Sequence, residues 1–147
     1  MKVLVADNLS SLGVDILKQE SGIDVDVNTG LPKEELIKII SSYEGLIVRS
    51  ATKVTPDVIE AATNLKVIGR AGIGVDNIDV AAAGKKGIIV MNTPEGNVIT
   101  TAEHTMALML SMSRNIPQAR SMLKDQKTWA PKKFIGKELH SKTLGIV

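Results

Sequence analysis

Two arginines, a serine and a run of glycines are the residues of this chain whose types and spacing suit chemistry on an anion. The stretch Gly69-Arg70-Ala71-Gly72-Ile73-Gly74-Val75-Asp76-Asn77 follows the apolar run Leu65-Lys66-Val67-Ile68, which reads as a short strand. It precedes Ile78-Asp79-Val80-Ala81-Ala82-Ala83, which reads as the start of a helix. Glycines at 72 and 74 admit positive φ and let the backbone approach a neighbour closely. Successive N–H groups at a strand-to-helix turn make a concavity that suits an anion. Arg70 adds a fixed positive charge whose forked donors match a carboxylate or phosphate. The same residues also describe an ordinary βα turn with a solvated arginine. Which reading holds depends on what else reaches the same place. Arg49-Ser50 closes another apolar run, Gly45-Leu46-Ile47-Val48, and Asn92-Thr93-Pro94-Glu95-Gly96-Asn97 closes a third. Metal chemistry has no comparable support. There are no cysteines, and the two histidines, His104 and His140, stand far apart; no metal site is expected.

The elements that must position these residues alternate along the chain. Lys2–Ala6 reads as a first strand. Ser10 or Ser11 can cap a helix carrying Leu12, Ile16 and Leu17 at helical spacing. Ile23-Asp24-Val25-Asp26-Val27 alternates apolar and polar, as an edge strand with one wet face does. Pro32 occupies a first helical position, followed by the stripe Leu36, Ile37, Ile39 and Ile40. Gly45–Val48 is apolar throughout, as in a strand covered on both faces. Thr55 is an N-cap candidate with Pro56 at the first helical position and Asp57 at the positive end of the dipole. Lys66–Gly69 is a fourth strand, Asp79 can cap Val80–Lys86, and Gly87–Met91 is a fifth strand. Strands alternating with helices across short connections imply an α/β fold, a five-stranded parallel sheet with helices on both faces. The expected strand order is 2-1-3-4-5, the flavodoxin-like arrangement, in which ligands bind beyond the carboxyl ends of the strands. Arg49, Ser50, Arg70, the 72–74 backbone, Asn92 and Asn97 would then share one rim, and the implied ligand is small and anionic.

Residues from Thr100 on differ in character. Residues 1–97 hold 10 Lys and Arg against 13 Asp and Glu, whereas residues 98–147 hold 8 against 3, so two structural units are expected. Thr100-x-x-Glu103 reads as a capping box opening a long helix, whose Met106, Leu108, Met109, Leu110 and Met112 suit packing rather than a cofactor. Asn115-Ile116-Pro117 interrupts it. Gln126–Phe134 is an arm holding Trp129 and Phe134, and Lys142–Val147 reads as a further strand. The C-terminal lysines are dispersed and the chain has only three aromatic residues; nucleic-acid binding is not expected. Apolar content is 44% of 147 residues, with no run approaching the roughly 20 residues that span a bilayer. The N-terminal apolar segment is too short for a secretory signal, and the lack of cysteine fits a cytoplasmic location.

Several of these motifs together point to a known family. Ile47-Val48-Arg49-Ser50-Ala51-Thr52-Lys53-Val54-Thr55, Gly69–Asn77 with Ile78-Asp79, Asn92–Asn97, Ala102-Glu103-His104 and Lys142-Thr143-Leu144-Gly145-Ile146 make a chain that resembles the NAD-dependent D-2-hydroxyacid dehydrogenases over its whole length. The first two motifs with the asparagine loop favour the phosphoglycerate branch over the lactate, formate or glyoxylate relatives. The resemblance implies that residues 1–97 are a substrate-binding domain and that 98–147 begin a nucleotide-binding Rossmann domain: a hinge helix, a subunit-interface arm and a first strand, then truncated. It implies that the N–H groups of Ile73 and Gly74, with Ala71 and Gly72 in the same turn, hold a substrate carboxylate. Arg49, Ser50 and Arg70 would face the rest of the anion and Asn97 would lie beside the reacting carbon. Ile73 stands where relatives often carry a threonine near the nicotinamide of NAD; it can offer backbone and apolar surface. The family's glycine-rich loop, ribose-binding acid and catalytic arginine, glutamate and histidine would all lie beyond Val147, so no catalytic residue is expected within the chain. His104 is expected to be packed and hydrogen-bonded on the hinge helix, and His140 to be a surface residue.

Two functional expectations follow. In one, the chain is part of an enzyme that oxidises 3-phosphoglycerate to 3-phosphohydroxypyruvate with NAD, opening serine synthesis, and assembles as a homodimer or higher homo-oligomer through residues 100–147. In the other, it acts alone as a non-catalytic anion-binding module. A relative acting on hydroxypyruvate or glyoxylate is the alternative within the enzyme class.

Overall fold

The computed structural model describes residues 1–146. They form two compact units, Met1–Gly96 and a second from Asn97 on.

The first unit carries five short strands: β1 (Lys2–Val5), β2 (Asp24–Val27), β3 (Gly45–Val48), β4 (Val67–Arg70) and β5 (Ile89–Asn92). All pair in parallel, in the order β2-β1-β3-β4-β5. Four helices connect them: α1 (Ser11–Gln19), α2 (Lys33–Ile39), α3 (Pro56–Ala61) and α4 (Val80–Lys85). The first crossover runs toward β2 and the next three run the other way. Right-handed connections therefore set α1 on one face and α2, α3 and α4 on the other. The core lies under the second group. Leu4, Leu46, Val48 and Ile68 of the sheet meet Leu36, Ile40, Val58, Ile59 and Ala83, all almost completely buried.

A side-chain cap is made at one of the four helix starts of this unit. Asp79 accepts a hydrogen bond from the Ala82 N–H at 2.8 Å, capping α4. Thr55 precedes α3 with Pro56 in its first turn, although the Thr55 side chain makes no capping bond. Pro32 is the N-cap of α2 rather than its first helical residue. On the other face the helical spacing of α1 buries nothing fully: Leu12 and Ile16 are exposed, as are Ile89 and Met91 of β5. One helix is too little to cover a five-stranded face.

In the second unit, α5 (Val98–Ser113) and α6 (Ile116–Asp125) are separated at Asn115, which takes the left-handed conformation at φ 53°. Pro117 follows in the first turn of α6, where its missing N–H leaves no bond unmade. The capping box at Thr100 is not formed. The helix starts earlier, with Asn97 as its N-cap, so Thr100 lies inside it. His104 is exposed and has no hydrogen-bond partner among the described residues, against the expectation of a packed residue; α5 has no buried position in its own unit. His140 is exposed. The arm folds back through a short 3₁₀ turn, Pro131–Phe134, and an apolar cavity of about 440 Å³ lies among Ile116, Ala119, Leu123, Trp129, Pro131 and Phe134. Residues 142–146 form no strand, because no neighbouring strand of their unit pairs with them; Val147 lies outside the described residues.

Candidate functional site

Parallel register brings Val48, Arg70 and Asn92 side by side at the carboxyl ends of β3, β4 and β5. Each strand then runs into a loop on the same rim, so Arg49-Ser50 and Ala71–Gly74 are neighbours although they are about 20 residues apart in sequence. The Ala71 N–H still reaches the Val48 carbonyl at 2.9 Å, extending the ladder one residue past the strand.

Beyond that point the loop turns outward. Thr93 N–H donates to the Gly72 carbonyl at 3.0 Å, and Asn92 Nδ2 donates to the Ile73 carbonyl at 2.7 Å. With those carbonyls held, the N–H groups of Ile73 and Gly74 take no hydrogen-bond partner among the described residues. Asn92 is therefore a support of the loop, with its amide engaged, rather than a free group on the rim. Arg70 is half-buried and its guanidinium lies across Gly72: a Cβ there would overlap Nη1 and stand 2.8 Å from Cζ. Glycine at 72 supplies both room for the arginine and a positive φ of 159°. Gly74 does not have a positive φ. Arg70 Nε is buried and without a partner. The loop thus carries an unpaired cationic donor against Gly72 and two unpaired N–H groups in the next two residues, donors of the kind that suit an anion.

Arg49 and Ser50 are exposed on the same rim. Arg49 Nη1 donates to the Asn8 carbonyl at 3.0 Å, which leaves the rest of its fork free. Under this loop sits Asp7, 4% exposed. Its carboxylate accepts from Arg49 N–H at 2.6 Å, from Thr52 N–H at 3.1 Å and from the Thr52 hydroxyl at 2.6 Å. Burial pushes the Asp7 carboxyl up, but bonds from Thr52, Arg49 and Ala51 outweigh it and hold the group below its ordinary value. Asp7 is thus a carboxylate whose charge is already satisfied and does not compete for the ligand's place. A cavity of about 430 Å³ opens beside it, lined among others by Lys33, Thr52, Lys53 and Thr55; Lys33 is paired with Asp57. Asn97 belongs to the second unit, at the N-cap of α5 with no side-chain capping bond. Among the described residues no group of three or more His, Asp or Glu is placed to hold a metal, and no helix is long and apolar enough to cross a membrane.

Residues 3–143 match the family described as D-isomer specific 2-hydroxyacid dehydrogenase, catalytic domain. The chain belongs to this family. It is 53% identical over 146 residues to a D-3-phosphoglycerate dehydrogenase of Synechocystis, covering 99% of this chain and 26% of that protein. It is 53% identical over 147 residues to the D-3-phosphoglycerate dehydrogenase of Archaeoglobus fulgidus, covering all of this chain and 28% of that protein. The chain thus spans about a quarter of the length of these curated relatives. Among solved structures, the NAD+-bound 3-phosphoglycerate dehydrogenase of Entamoeba histolytica superposes with a TM-score of 0.69 at 30% identity, covering 95% of this chain and 43% of that one.

Within this family member the structure gives supporting roles to residues to which the motifs assigned none. Asp7, Thr52 and Asn77 shape the arginine loop, and Asn92 shapes the glycine loop. One signal was available for Asp7: a charged residue directly after the apolar run Val3-Leu4-Val5-Ala6. Nothing local distinguishes Asn77, whose two partners lie 25 and 28 positions away.

Proposed function

We propose that this chain is the substrate-binding part, with the start of the nucleotide-binding part, of a dehydrogenase that oxidises 3-phosphoglycerate to 3-phosphohydroxypyruvate with NAD, at the opening of serine synthesis. The observation that carries the reading is the unpaired trio of Arg70 Nε and the Ile73 and Gly74 N–H groups. The substrate carries a carboxylate and a phosphate around one hydroxyl-bearing carbon. The two N–H groups hold the carboxylate, with Ala71 and Gly72 completing the turn. Arg49, Ser50 and Arg70 face the remaining negative charge, since an arginine fork suits both groups. Asn97, the first residue of the second unit, is the residue we assign to the reacting carbon. Fixing both ends of so small a molecule orients the middle carbon, and orientation is a large part of what a binding domain contributes to rate.

NAD, when bound, accepts the hydride that leaves the hydroxyl-bearing carbon. Of the residues present, Ile73 fits its nicotinamide end: the side chain is 39% exposed and apolar, and its carbonyl is fixed by Asn92. Residues 1–97 are read as the substrate domain and 98–147 as the beginning of the nucleotide domain. The exposed apolar residues of α5 and the arm, among them Met106, Leu110, Met112 and Trp129, suit assembly as a homodimer or higher homo-oligomer through residues 100–147. The lack of cysteine supports a cytoplasmic location.

The test has two parts. The chain is titrated by NMR with 3-phosphoglycerate, D-lactate and glyoxylate; the acid with two anionic groups should bind at least tenfold more tightly, moving the Ile73 and Gly74 amide signals. The chain extended to the length of its relatives should then reduce NAD with 3-phosphoglycerate, and the chain as given should not. Equal affinity for all three acids, with no shift at 73 and 74, refutes the reading.

A further inference from the structure

The loop that carries Arg49 and Ser50 is gripped by two side chains from opposite sides. From below, the Asp7 carboxylate takes the N–H groups of Arg49 and Thr52 and the Thr52 hydroxyl, at 2.6–3.1 Å. From beside, Asn77 Nδ2 donates to the carbonyls of the same two residues, Arg49 and Thr52, each at 2.7 Å. The donors of residues 49 and 52 are thus held by one side chain and their acceptors by another. Ser50 lies between them, and its N–H has no partner among the described residues. Asn77 is itself anchored, because its carbonyl accepts from Val54 N–H at 2.8 Å.

This arrangement is costly. Asp7 is the one charged residue among the described residues that is nearly fully buried, and a buried carboxylate is unfavourable unless its oxygens are bonded. Asn77 Oδ1 is buried with no partner, a further penalty. Apolar residues at both positions would remove both penalties but would leave the loop unfixed. Asn77 also closes the segment that begins at Arg70, so its two bonds join the glycine loop to the arginine loop.

We propose that Asp7 and Asn77 are positioning residues: together they hold Arg49 and Ser50 in the geometry that receives the substrate, and they couple the two halves of the site. The proposal rests on the substrate reading above for its ligand, and on the clamp geometry for everything else.

Asp7→Asn and Asn77→Ala are the tests, made in the full 147-residue chain. Asp7→Asn keeps the shape but turns one acceptor into a donor that faces N–H groups. Hydrogen exchange by NMR reads the clamp without any ligand. Exchange at the Arg49 and Thr52 amides should quicken at least tenfold in either variant, with the Leu46 and Ile68 amides unchanged. Unchanged exchange at 49 and 52 overturns the clamp, and equal quickening everywhere overturns a local positioning role. Titration with 3-phosphoglycerate reads the consequence. Each variant should bind about tenfold more weakly than the parent chain, and Asp7→Asn should change the affinity less than twofold once Arg49 is already alanine. A full additional loss in the Arg49→Ala background shows that Asp7 does not act through Arg49 and overturns the proposal. If the parent chain binds no 3-phosphoglycerate, the substrate reading fails, and the exchange data still decide the clamp. Should Asp7→Asn not fold, Asn77→Ala carries the same measurements, its side chain being only half-buried.

Discussion

Gly72→Ala tests the site through a residue that makes no bond of its own to a ligand. An added Cβ would overlap Arg70 Nη1, lie 2.8 Å from Cζ and 3.4 Å from Nε. Carbon–carbon contacts relax at about 3.5–4.0 Å, so the guanidinium must retreat by roughly 1 Å or swing out of the loop. Either movement removes Arg70 from the place where its buried Nε stands beside the Ile73 and Gly74 N–H groups. A charge-assisted hydrogen bond is worth about 1.5–3 kcal/mol, which converts to roughly 10- to 140-fold in affinity. Gly72→Ala should therefore weaken 3-phosphoglycerate binding by that factor in an NMR or calorimetric titration, and so should Arg70→Ala. Both changes disturb the Arg70 guanidinium, so the losses should fall short of adding in the double variant, the remainder coming from strain at the positive φ of residue 72. Affinity unchanged by Gly72→Ala, or losses that add in the double variant, would refute the argument that glycine is needed at 72 to seat the arginine.

Asp7 predicts an acid-sensitive component of stability. Its folded pKa lies below the unfolded value near 3.8, so its stabilisation is complete above that pH and is lost as pH falls through the folded pKa; thermal melts across the acid range should show this loss, and Asp7→Asn should abolish it. Leu46→Ala, at a fully buried position of β3, should cost about 2–5 kcal/mol in a denaturant melt, and a loss under 1 kcal/mol would remove Leu46 from the core. Replacing Trp129, which is 78% exposed, with alanine should shift light scattering toward smaller species; an unchanged mass would take the arm out of the assembly contact. Calorimetry should find no micromolar NAD affinity in the chain as given, since in the proposed reading Ile73 is the one residue of this chain assigned to the cofactor.

The order of strands and the ends that carry the arginines were legible in the sequence because both rest on local patterns. Apolar runs of four to five residues separated by short helical segments leave few topologies for a parallel sheet, and the observed order is the expected one. Arg49, Ser50 and Arg70 could be placed on one rim because strand polarity fixes which end a following residue occupies. The structure alone decided what those residues rest on. Asp7 and Asn77 act across 42 and 28 positions of sequence, and no periodicity reports a hydrogen bond of that span. Asn92 looked like a ligand group and became a loop support, because its partner is a carbonyl that only the folded register brings near. Short-range signals also failed where burial decides. Leu12 and Ile16 of the α1 stripe stay exposed, the Thr100 box lies inside a longer helix and Lys142–Ile146 forms no strand. A pattern of residue types states which contacts are favourable, whereas packing determines which of them have a partner.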